Sequence, residues 1–140
     1  MKIFENCWNA LETCNCQYGA HIFENDSAMI YVNHWLDVDS NLRGYFYRKN
    51  DQGFVGHCLL VFHGVKKFDF VVNQYTKQGE KIIWHEPVSF NYLGTTPETE
   101  TTKYMMEGSL HGFPSSVQIL VEALAFELRI LGKDEPASQS

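Results

Sequence analysis

The clearest pattern of apolar and polar positions lies at residues 54–73, where two apolar-rich runs, 55–63 and 66–73, flank Gly64 and Val65. Glycine at the first central position suits a two-residue type II′ turn, whose twist matches that of paired strands, so the pattern predicts a β-hairpin. In that register His63 faces Lys66, Val61 faces Phe68, Leu59 faces Phe70 and His57 faces Val72. This is the more apolar side and is expected to face the core, leaving Cys58, Leu60, Phe62, Lys67, Asp69, Val71 and Asn73 on the other.

Val88, Phe90 and Tyr92 alternate with Ser89 and Asn91, which marks residues 88–93 as a half-buried strand. Residues 28–35, 42–48, 81–86 and 103–111 read as further strands, with Pro87 separating two of them because it lacks a ladder donor. Phe4, Cys7, Trp8 and Leu11 recur at helical spacing and predict a short amphipathic helix over residues 3–11. Polar or turn-forming runs at 14–19, 24–27, 37–41, 49–53 and 74–79 divide these elements, and residues 94–102, rich in Thr, Glu and Pro, read as a mobile connection.

Residues 115–131 fit two patterns. Ser115 with Gln118 matches a capping box and Gly132 suits a helix end, but a helix places Glu127 in the middle of its apolar face. Alternation over 117–121 and again over 126–130 fits a strand, given a bulge near residues 123–125. The strand run at 103–111 and the turn Gly112-Phe113-Pro114 favour a long bent strand paired with 103–111. The chain then forms a mainly β domain, an antiparallel sandwich or partly open barrel of about seven strands with a short N-terminal helix. A helix at 115–131 would make it α+β. Residues 1–131 are read as one globular domain and 132–140 as a flexible tail.

A chain of 140 residues buries roughly 68% of its unfolded surface, enough for one core without metals or disulfides. The net charge of −6, with only Arg48-Lys49 and Lys66-Lys67 as adjacent basic pairs, argues against a nucleic-acid partner and suits a protein partner with a basic surface. No stretch reads as a secretory signal or a membrane-spanning helix, so a cytoplasmic protein with free thiols is expected.

The candidate chemistry is sparse. Cys14-x-Cys16 with His21 and Cys7 brings soft ligands close, but the spacing is poor for structural zinc, and no metal or cofactor is assigned. His57 and Asp69 fall on opposite sides of the predicted hairpin, and His85 and Glu86 are adjacent strand residues, so neither pair forms a local site. No hydrolase elbow, phosphate loop or dinucleotide fingerprint is present, and no catalytic residue is assigned. Glu107 and His111 share a strand face with Ser109, which reads as a solvent-facing strip; the alternative is a polar pocket completed by facing residues at 117–121.

These features favour a non-catalytic binding domain. Trp35, Asp37, Asp39, Tyr45 and Tyr47 form the expected aromatic and acidic contact for a basic protein, with a sheet edge as the other route, and a small inhibitor or immunity protein is one concrete form. A small-molecule-binding barrel is the first alternative. An enzyme assembled from separate strands, with His57, His85, Glu107 and His111 as its polar groups, is the second.

Overall fold

The computed structural model describes residues 1–97 and 100–136. Strand β1 (Lys2–Glu5) leads through one 3-10 turn, Trp8–Ala10, to β2 (Leu11–Glu12), β3 (Cys16–Glu24), β4 (Ser27–His34) and β5 (Asp37–Val38). A single helical turn, α1 (Ser40–Arg43), precedes β6 (Arg48–Lys49) and β7 (Val55–Gly56). Strand β8 (Cys58–Gln78) is followed by β9 (Lys81–Trp84), β10 (Val88–Leu93), β11 (Thr102–Leu110) and β12 (Ser115–Ile130).

Five strands close on themselves: β8 pairs with β12, β12 with β11, β11 with β3, β3 with β4, and β4 with β8 again. The chain is mainly β, as its alternation predicts, and its large sheet curls into a ring. Every contact in the ring is antiparallel except β11 with β3, a parallel seam that matches Gly108, Ser109 and Leu110 to Cys16, Gln17 and Tyr18. Gly108 is required there: at φ 155° a Cβ would lie 2.0 Å from the Cys16 carbonyl oxygen. The ring is filled by side chains including Tyr18, Ile30, Leu60, Phe62, Phe68, Phe70 and Leu128, each under 2% exposed.

The predicted hairpin at 54–73 does not form. Both runs lie along β8, which pairs with β12 from Cys58↔Ile130 to Gln74↔Ser115, and a reversal at Gly64 would forfeit that ladder. Gly64 does take a left-handed φ of 64°, but it serves a kink. Between Val65↔Ala123 and Lys67↔Glu122 the β8 strand carries one extra residue, Lys66, so the bulge inferred from the β12 sequence is made by its partner. The kink also shifts the pleat: Cys58, Leu60 and Phe62 face inward with Phe68, Phe70 and Val72. Leu59 and Val61, expected inside, instead form a small outer cluster with Leu131, flanked by Met29 and Tyr31. The type II′ geometry belongs to the next turn, where Gly79 with φ 61° joins Gln78 to Lys81.

The expected N-terminal helix is also replaced. Its first residues find a partner in β12 as β1, and Asn6 at φ 57° breaks the chain before the 3-10 turn. The apolar positions that suggested a helix still pack inward, because Phe4, Cys7, Trp8 and Leu11 all join the core. Residues 42–48 are not a strand: Leu42 is buried from α1, and only Arg48 and Lys49 are extended. The turn expected at 14–19 becomes the start of β3, with Cys16 and Tyr18 buried. The long strand at 115–131 forms as expected and pairs with β11.

Beyond Gln74, β8 and β9 leave the ring as a two-stranded arm on which Ile82, Ile83 and Trp84 are 44–56% exposed. The segment expected to fray from residue 132 is tied at its start, where Glu135 accepts from the Gly132 amide and pairs with the N-terminal ammonium at 2.7 Å. Its last four residues, and residues 98 and 99 of the expected mobile connection, lie outside the described residues. No helix among the described residues is long and apolar enough to cross a membrane.

Candidate binding site

The five residues expected to form one aromatic and acidic contact are not joined by hydrogen bonds, ion pairs or ring contacts among the described residues. Tyr45 packs on Phe4 at 5.0 Å with Lys2 Nζ over its ring, and Tyr47 lies under Lys133 Nζ at 5.6 Å. Trp35 leans on Phe54 at 5.1 Å. Asp37 sits in the short β2–β5 ladder opposite Glu12, and the Asp39 amide donates to the Ala10 carbonyl.

The four alternative polar residues do not converge on one cleft. His57 is buried, its Nε2 donating to the Gly132 carbonyl at 2.9 Å while Nδ1 accepts from Tyr31 Oη at 2.8 Å, so both ring nitrogens are committed. His85 touches Thr76 on the arm. His111 accepts from Asn33 Nδ2 at 3.1 Å, and Arg48 links Asn33 back to Tyr31, so His57 and His111 end one polar chain across the outer surface. Glu107 stands apart from all three.

Glu107 belongs to a different constellation. Along β11 the outward residues Met105 and Glu107 face Leu120 and Gln118 on β12, which in turn face Asp69 and Val71 on β8. These six line a cleft of about 310 Å³. On the other side of β11 the segment Leu11, Glu12, Thr13 and Cys14, with Trp8, lines a second cleft of about 300 Å³ that shares Met105 and Glu107 with the first. The two make one groove astride β11, with Trp8, Leu11, Met105, Leu120 and Val71 as apolar surface and Glu12, Glu107 and Asp69 as carboxylates. Asp69 is partly answered by Lys67 at 3.4 Å and by Asn91 at 2.7 Å. Among the described residues Glu12 and Glu107 pair with no lysine or arginine.

The groove wall is fixed from behind. Tyr18 Oη reaches the carbonyls of Thr13 at 2.8 Å and Glu107 at 3.0 Å, and burial pushes its pKa well up, so the phenol remains a donor. Cys14 is exposed in the groove, whereas burial pushes the Cys16 thiol up to about 12 and raises those of Cys58 and Cys7. Cys14, Cys16 and His21 thus point to three different surroundings, and no three His, Cys, Asp or Glu side chains among the described residues gather as a metal would require.

One further cluster was invisible in the sequence because the predicted hairpin put His63 beside Lys66. Ser27 Oγ lies 3.1 Å from His63 Nδ1, His63 Nε2 lies 2.5 Å from Glu127, and Arg129 Nε donates to Glu127 at 2.8 Å. Desolvation raises the Glu127 pKa, but the Arg129 and His63 hydrogen bonds outweigh it and hold it below the ordinary value. The cluster joins β4, β8 and β12 beside a cavity of about 190 Å³ that His63 and Glu127 line.

Glu107 and the facing strand at 117–121 were within reach of sequence reasoning, because alternation alone assigns their side. Glu12 and Asp69 were not, because each joins the groove through a contact far away in the chain. No protein-family model matches this chain, and comparison with curated proteins and with solved structures finds no match.

Proposed function

We propose that the protein is a non-catalytic binding domain whose partner is another protein bearing a basic segment, and that the groove astride β11 is the contact. The carrying observation is the meeting of two clefts at Met105 and Glu107, which places apolar surface beside the carboxylates of Glu12 and Glu107, answered by no lysine or arginine among the described residues. That composition suits the anchoring centre of a larger interface, where a few desolvated contacts supply most of the energy. Tyr45 and Tyr47 are less suited to a basic partner because the Lys2 and Lys133 ammonium groups already lie over their rings.

The test is affinity capture on the immobilised full chain from native extract, with mass spectrometry of what is retained. A basic protein should be held by the wild type, released by about 0.5 M salt, and retained about tenfold less by the Glu12→Gln/Glu107→Gln variant. Retention that ignores both salt and the substitutions would remove the groove from consideration. Co-purification of a small molecule with no retained protein would favour the ligand-barrel alternative.

A further inference from the structure

We infer that the groove receives its partner as an extended strand of alternating basic and apolar residues, added to the free edge of β11. The inference rests on the binding reading above and specifies its mode. The Glu107 amide donates to the Thr13 carbonyl, and Thr13 Oγ1 donates to the Met105 carbonyl at 3.4 Å. The odd-numbered residues of β11 therefore turn their backbone groups away from β12. Strand β3 takes up this edge only from Gly108 onward. By the same alternation the Lys103 N–H and C=O and the Met105 N–H turn to this side of β11, where no strand among the described residues pairs with them.

A row of unpaired donors and acceptors beside a slot is a template for another strand. Alternate side chains of an added strand point to opposite faces. One set would lie beside Met105 and Glu107, where Lys or Arg answers the carboxylates of Glu107 and Glu12. The other set would meet Trp8 and Leu11, which favours apolar residues. The Thr13 contacts at Met105 and Glu107 stop the added strand at that end, so it enters from the Thr102 side.

Cys14 supplies the readout, since it is the one exposed cysteine of the four and lines the slot. The probe is the peptide acetyl-Lys-Val-Lys-Val-Lys-amide, and the measurement is the rate of Cys14 alkylation by N-ethylmaleimide, mapped by mass spectrometry. Saturating peptide should slow alkylation about tenfold. The same peptide N-methylated on alternate amides should give no protection in at least one of its two phases, because the ladder donors are gone. The Glu12→Gln/Glu107→Gln variant, checked for folding by circular dichroism, should need about tenfold more peptide.

Protection by both N-methylated forms, or by a glutamate-for-lysine peptide, that matches the parent peptide overturns strand addition, as does absence of protection by the parent peptide. If capture of a basic protein still depends on Glu12 and Glu107 in that case, the binding reading stands without it. If capture shows no such dependence, both fall.

Discussion

His21 shows how one side chain records its surroundings. It stacks on Phe70 at 4.5 Å, meets Phe68, Phe90 and Tyr92 at their edges, and shares a 2.9 Å hydrogen bond with Tyr92 Oη. Burial lowers its pKa below the ordinary 6.5. The unfolded chain then takes up a proton at a pH where the folded one does not, so stability falls as the pH drops below 6.5 and levels off below the folded pKa. His34 is lowered for the same first reason, with Arg48 adding to it, and contributes in the same direction. Thermal melts between pH 7 and pH 5 should show this loss, and His21→Phe should reduce it without abolishing it. An unchanged slope would show that His21 is protonated in place.

Among the elements, the arm formed by β8 and β9 is the most separable. Residues 76–84 are exposed throughout, and the ladders of β8 with β4, β10 and β12 end by Gln74. A two-stranded ribbon adds little stability alone. Replacing residues 76–83 by a two-residue turn should leave the melting temperature within about 4 °C of the wild type, a shift equivalent to under about 1 kcal/mol. A larger loss would mean that the arm supports the ring. How much of these elements was legible follows from where their partners lie. Strands at 88–93, 103–111 and 115–131 declared themselves because alternation is local and each has a polar face. The hairpin at 54–73 and the helix at 3–11 misled because Gly64 fits a bulge as well as a turn, and because Phe4, Cys7, Trp8 and Leu11 meet the core through a broken segment. What decided both was β12, more than forty residues away. The groove was half legible for the same reason, with Glu107 assignable to a face but its neighbours supplied by other strands.

At the scale of the whole molecule, the ring is closed by very unequal joints. Strands β8 and β12 share a ladder along nearly the full length of β12, whereas β11 and β3 meet over three residue pairs. Gly108→Val sets a side chain against the Cys16 carbonyl at that joint and should cost about 1–3 kcal/mol in urea denaturation, with Ser109 and His111 amides losing protection from hydrogen exchange before those of Val61 and Phe62. Uniform loss of protection would show that the ring opens as a unit.

The three-pair seam also gives the molecule a clasp. The bonds that brace it continue directly into the groove, through Thr13 to Glu107 and through Tyr18 to both. Anything seated along β11 would act as a splint across the weakest joint of the ring, so occupancy and the integrity of the fold would be read out by the same few amides.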